Sequence, residues 1–171
     1  MWVFDATLLI YLAKAERLSH LERIGGPRLV PKRVYDEVVT DGLEGDYPDA
    51  RRIQRCVEAA TFTVRNVASN AVFERLEANQ ALSDADRAVL ALAAKHDAIA
   101  VMDEQHGRAV ARSEGISTRG TAYLVLSLVK DGHIDVREAR TTFETMLDEG
   151  WYCSPNQYAK IREKLDSLGD A

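Results

Sequence analysis

The strongest constraint on the fold is an alternation of short strand-like runs with segments of helical spacing. The runs are Met1–Phe4, Arg28–Val30, Phe62–Val64, Ile99–Met102 and Ile116–Thr118. Strands this short, separated by helices, call for crossover connections and a parallel sheet covered on both faces, the α/β class. Ligands of such sheets bind outside the carboxyl ends of the strands, where the strand order reverses. Two of the runs end directly in a carboxylate, Asp5 and Asp103, so this rule places both at the functional rim.

The connecting segments read as helices. Thr7–Ala15 carries Leu8, Leu9 and Leu12 on one face, and a second helix over about Glu16–Ile24 stops at Gly25-Gly26-Pro27. Pro31 opens a helix over Lys32–Thr40 with Val34, Val38 and Val39 inward, followed by a polar loop at Gly42–Pro48. Asp49–Ala59 and Ala71–Ala78 are further helices, and Ser83–Asp86 precede the apolar stretch Ala88–Ala93. Glu104–Ser113, Gly120–Val129, about Ile134–Leu147 and about Pro155–Leu168 complete the set. No repeat or linker interrupts the chain. Its 171 residues are expected to form one domain, with the C-terminal helices of about 134–168 packed on it.

The composition is that of a globular protein, with 46% hydrophobic and 29% charged residues. The net charge of −5 gives no global basic field, so any polyanion must be held by local cations or bound metal. Cys56 and Cys153 make neither a disulfide framework nor a zinc motif and read as separate thiols of a reducing compartment. The N-terminal stretch lacks a basic n-region and a small-residue cleavage site, and no apolar run approaches the ~20 residues of a membrane span. A cytoplasmic, non-membrane protein is expected.

Four acidic residues, Asp5, Glu37, Asp86 and Asp103, each lie near an edge between an apolar run and a helix. Each has a structural explanation. Asp5 and Asp103 precede helices and suit an N-cap, Ser83 and Asp86 have capping-box spacing, and Glu37 fits a solvated helix face. Together they suggest a carboxylate cluster, which needs a positive partner. Carboxylates suit Mg²⁺ or Mn²⁺, ions that retain waters and accept phosphate oxygens. Two such ions can hold a phosphodiester, activate water and stabilise the leaving oxygen. No protein nucleophile is evident: the chain has no Gly-x-Ser-x-Gly elbow, no Cys beside a His and no glycine-rich phosphate loop.

These residues resemble the PIN-domain nucleases, including VapC-like toxins, over most of the chain. Asp5 with Ala6-Thr7-Leu8-Leu9-Ile10 is similar to the opening motif, and Val30-Pro31 with Val34 and Glu37-Val38-Val39 to the second. Leu82–Ala93 looks like the third motif and Ala100–Glu104 the fourth. Gly115-Ile116, Arg119-Gly120-Thr121 and the Asp148–Ser154 stretch resemble one subgroup. The resemblance implies a three-layer α/β/α Rossmann-like PIN fold and a metal-dependent ribonuclease acting through metal-activated water. It implies Asp5, Glu37, Asp86 and Asp103 as catalytic and metal-binding carboxylates, and Glu104 as a further ligand or a partner of one. Thr7 stands where Ser or Asn is common and would hydrogen-bond a ligand or water. Asp86 replaces the commoner Glu, and Asp84 is its rival.

Lys32, Arg33, Arg108 and Arg119, with Arg87 and Arg112, are the candidate phosphate contacts near the rim. His106 reads as a surface residue or a ligand, and Trp151 and Tyr152 as packing residues or base-stacking platforms. Toxin resemblance further implies an RNA substrate, a homodimer and a cognate antitoxin. Two other readings stay open: a non-catalytic PIN-like binding module, and a dehalogenase-like phosphatase with Asp5 as nucleophile. The latter requires an acid at the position of Thr7.

Overall fold

The computed structural model describes residues 1–170. Five strands form one all-parallel sheet: β1 Trp2–Phe4, β2 Arg28–Pro31, β3 Thr63–Arg65, β4 Ile99–Val101 and β5 Thr118–Arg119. Their order is β3-β2-β1-β4-β5. Val3 pairs with Leu29 on one side and Ala100 on the other, fixing the register of the three central strands. The helices are α1 Ala6–Lys14, α2 Lys32–Tyr35, α3 Asp41–Glu44, α4 Pro48–Glu58, α5 Ala71–Glu77, α6 Asp84–His96, α7 Gln105–Ser113, α8 Thr121–Lys130, α9 Val136–Asp148 and α10 Pro155–Gly169. They flank the sheet, giving the α/β/α arrangement expected of alternating strands and helices.

Local chemistry sets the helix ends. Asp5, Asn70, Ser83, Glu104, Asp135 and Ser154 each accept a backbone N–H from the first turn that follows. Ser154 and Gln157 complete a capping box with Pro155 at the first helical position, so α10 has three independent start signals. The α6 helix lies across β1, β2 and β4. Val89, Leu90, Ala91, Leu92 and Ala93 are fully buried there, which explains a helix apolar nearly all round. On another side α1 packs against α4 and α9, and α8, α9 and α10 pack on one another. Phe4, Leu8, Leu12, Leu90, Met102 and Phe143 belong to one continuous core.

Three segments differ from the sequence expectation. The expected helix at Glu16–Ile24 is a 3₁₀ segment, Leu18–Arg23, entered through Glu16 at φ +58°. Three side chains there bond to remote parts of the chain, His20 with the Thr142 hydroxyl, Glu22 with the Thr61 hydroxyl and Arg23 with the His133 carbonyl, and Arg28 donates to the carbonyls of Ile24 and Thr61. The helix at Lys32–Thr40 does form, but its second half is a π-helical turn, Asp36–Thr40. It then continues into α3, so the expected loop at Gly42–Pro48 is helical at its start. Pro48 is the first residue of α4 rather than the end of a loop.

Candidate metal centre

β1 and β4 are neighbours at the middle of the sheet, and the order reverses between them: β2 lies beyond β1 and β5 beyond β4. Asp5 follows β1, and its backbone N–H donates to the Val101 carbonyl of β4 at 3.2 Å. Asp103 follows β4 after one residue, Met102. The two aspartates therefore stand at the carboxyl-end crevice where α/β sheets bind ligands.

Asp5 is 5% exposed. Its Oδ1 accepts the Leu8 N–H at 2.9 Å and so caps α1. Burial drives its pKa well above the ordinary carboxylate range; the Leu8 N–H opposes the rise, and the charges of Asp103 and Asp86 add to it. The capping explanation of Asp5 is thus correct and insufficient. A surface cap has no need of burial beside two further carboxylates.

Asp86 sits in the first turn of α6. The Ser83 hydroxyl accepts the Asp86 N–H at 3.0 Å and donates to Asp86 Oδ2 at 2.8 Å. Its rival, Asp84, is exposed and paired with Arg87 at 2.9 Å and Arg33 at 3.5 Å. Glu37 lies on the π-helical turn, a feature found often at functional sites. Partial desolvation raises its pKa, Asp86 raises it further, Arg33 lowers it and Asp41 raises it. Asp86 therefore stands within electrostatic reach of both Asp5 and Glu37, linking β1, α6 and the π turn.

Asp103 does not cap the helix that follows it. The chain stays extended through Glu104, so the cap of α7 falls to Glu104, whose oxygens accept the His106 and Gly107 N–H groups. Asp103 instead reaches across the rim. Its Oδ1 accepts the Thr121 N–H at 2.7 Å, and its Oδ2 accepts the Trp151 indole N–H at 2.9 Å. Gly120 permits the first of these, since a Cβ there would stand 3.0 Å from Asp103 Oδ1 and 3.5 Å from Arg108 Nη1. Thr7 lies half-buried in the first turn of α1.

The basic residues divide. Arg108 comes close to the Asp103 carboxylate across Gly120. Arg33 faces the other flank, beside Asp84 and within reach of Glu37. Lys32 is paired with Asp36. Arg119 is held 4.9 Å over the Tyr123 ring and donates to the Thr118 carbonyl. A groove of about 490 Å³ opens at the carboxyl ends of β2 and β3, lined by Lys32, Arg33, Asn66, Phe73, Asp84 and Arg87 among others. Arg112 and His106 are exposed. Cys56 and Cys153 are both free thiols.

Among the described residues, no three His, Cys, Asp or Glu side chains are drawn close enough to ligate one ion. Leu8, Ser83, Thr121 and Trp151 each engage one of the rim carboxylates. The chemistry of the set still fits a hard divalent cation. All the donors are carboxylate oxygens, one is buried against the charge of two others, and Thr121 adds a fully buried hydroxyl with no partner. The sequence named Gly120, Thr121 and Trp151 only as part of a subgroup resemblance, or as packing or stacking residues, and missed their roles around Asp103. Trp151 is 48 positions from Asp103, and no local spacing could signal a bond of that range.

No helix among the described residues is long and apolar enough to cross a membrane. No curated protein matches the chain. A family model described as a PIN domain matches residues 1–167, from the first residue into α10. The chain belongs to the PIN-domain family, whose members are generally nucleases that use divalent metals.

Proposed function

We propose that this chain is a Mg²⁺- or Mn²⁺-dependent endoribonuclease whose centre is the rim formed by Asp5, Asp86 and Asp103, with Glu37 completing it. The observation that carries the reading is Asp5: a buried carboxylate, raised in pKa, in the field of Asp86 and Asp103. Such a group is costly without a cation and well suited to one.

Asp5, Asp86, Asp103 and Glu37 would hold the metal, and Asp84 would remain on the surface with Arg33 and Arg87. The bound ion supplies Lewis acidity, neutralising charge on the phosphate and lowering the pKa of water. The chain's own contribution is placement. Leu8 and Thr121 fix the Asp5 and Asp103 carboxylates through backbone N–H groups, and the packed β1–β4 pair keeps the two aspartates side by side. Arg108 on one flank and Arg33 and Lys32 on the other are placed to bind the phosphates on either side of the cleaved bond. The groove beside Arg33 gives the strand a path away from the rim, with the Phe73 ring available to a base. Glu104 acts as the cap of α7 rather than as a ligand, because its exposed carboxylate turns back to the His106 and Gly107 N–H groups. The VapC-like motifs support a further step: a toxin that works as a homodimer and is silenced by an antitoxin covering the acidic rim.

The test is incubation of the protein and its Asp103→Asn variant with mixed structured RNAs in Mn²⁺, Mg²⁺ or EDTA. Cleavage that requires metal and vanishes in the variant supports the reading. Metal binding without cleavage of any RNA would replace it with a non-catalytic PIN-like module.

A further inference from the structure

Asp103 is held by three parts of the chain that are remote in sequence. β4 delivers the residue itself, the start of α8 supplies the Thr121 N–H at 2.7 Å, and the α9–α10 connection supplies the Trp151 indole N–H at 2.9 Å. The indole is well fixed. It is 6% exposed and stacks on Phe143 of α9, with ring centroids 6.0 Å apart and an interplanar angle of 27°. The turn before it is fixed too: Gly150 has φ +98°, and its carbonyl accepts the Tyr11 hydroxyl at 3.2 Å. Trp151 thus approaches Asp103 from a braced turn, with its ring packed and its one polar atom aimed at the carboxylate.

Packing alone does not require this. An indole N–H that is buried must find an acceptor, but most acceptors in a protein are backbone carbonyls. Here the acceptor is a carboxylate that the metal reading makes a ligand. A carboxylate oxygen accepts more than one bond, so the indole N–H leaves Oδ2 able to take a cation while removing its rotational freedom. Partners of this kind orient metal ligands and set their affinity.

We propose that Trp151 is a positioning residue for Asp103, making the C-terminal helix pair part of the metal centre. The proposal rests on the metal reading of the rim. Its consequence is that the isolated sheet and its first helices do not make a complete site: the ligand at the end of β4 is oriented by a residue outside all the acidic motifs.

Trp151→Phe retains a ring on Phe143 and removes only the N–H donor. Phe143→Leu loosens the packing beneath the indole and keeps the donor. Calorimetric titration with Mn²⁺, in the absence of RNA, is expected to show affinity about ten- to a hundredfold weaker in Trp151→Phe. Phe143→Leu, which keeps the donor, is expected to lose clearly less Mn²⁺ affinity than Trp151→Phe, although it melts at lower temperature. Equal Mn²⁺ affinity in Trp151→Phe and wild type would overturn the proposal and leave the metal reading standing. Absence of Mn²⁺ binding to wild type would overturn both.

A second readout uses the indole itself. The chain has two tryptophans, so Trp2→Phe leaves Trp151 as the sole tryptophan, excited selectively above the tyrosine absorption band. Its fluorescence is expected to change during the Mn²⁺ titration with the calorimetric midpoint. Calorimetric binding with no change in Trp151 emission would overturn the proposal.

Discussion

Replacing Asp5 by Asn should stabilise the metal-free protein while destroying its function. Two effects compete. Asn and Asp serve about equally as N-caps, so the bond to the Leu8 N–H survives and helix α1 loses little. The charge, by contrast, is buried and repelled by Asp103 and Asp86, and Asn removes it. Because the folded state holds the Asp5 proton to higher pH than the unfolded chain, the folded state carries more protons across that window. Stability therefore falls as pH rises from the unfolded carboxylate value, about 3.9, through the raised folded value. The loss is complete above it.

Each pKa unit of such a difference is worth about 1.4 kcal/mol at neutral pH, and 1 kcal/mol moves the melting temperature of a chain this size by about 2–4 °C. In EDTA at pH 7, Asp5→Asn should melt higher than wild type, and the gap should close towards pH 4. Divalent metal reverses the order. Mn²⁺ at a hundred times its dissociation constant adds about 2.7 kcal/mol to wild type and little to the variant. Melting curves by differential scanning calorimetry, with and without Mn²⁺, read all four states. A variant that melts lower than wild type in EDTA at pH 7, or that gains as much from Mn²⁺, would refute the reasoning that Asp5 is a buried charge awaiting a cation.

Other substitutions separate the roles of neighbouring residues. Glu104→Ala should lower stability by about 1 kcal/mol through loss of the α7 cap, with Mn²⁺ affinity in a calorimetric titration close to wild type. Asp86→Asn should abolish RNA cleavage in a gel assay, whereas Asp84→Asn should retain most of it, because Asp84 faces Arg33 and Arg87. Arg33→Ala should weaken RNA binding across all sequences and reduce the slope of log affinity against log salt by about one, as measured by filter binding over a salt series. Phe143→Ala, at a fully buried ring, should cost about 3–5 kcal/mol in chemical denaturation.

The fold was legible because its signals are local. Apolar runs of strand length ending at Asp5 and Asp103, the breaker at Gly25–Pro27 and the capping residues at Ser83 and Ser154 each act within a few positions, and the structure places their elements accordingly. The acidic rim was legible at one remove. The rule that α/β sheets bind ligands at strand carboxyl ends puts Asp5 and Asp103 together once β1 and β4 are adjacent. Three features escaped. The π turn that carries Glu37 has the same apolar spacing as an ordinary helix. The cap of α7 moved from Asp103 to Glu104 because two further residues stay extended after β4, against the usual preference for Asp at a cap. The bond from Trp151 to Asp103 depends on how α8, α9 and α10 stack, which is a property of packing rather than of any segment.

The central claim, that the rim of Asp5, Asp86 and Asp103 is a metal centre, is tested most directly by diffraction from crystals grown with Mn²⁺, using anomalous scattering to locate the ion. The account predicts an anomalous peak among these three carboxylates, with Glu37 drawn towards it and the Trp151 indole still bonded to Asp103. A peak elsewhere, or none at this rim while Mn²⁺ is bound at other sites, would contradict it.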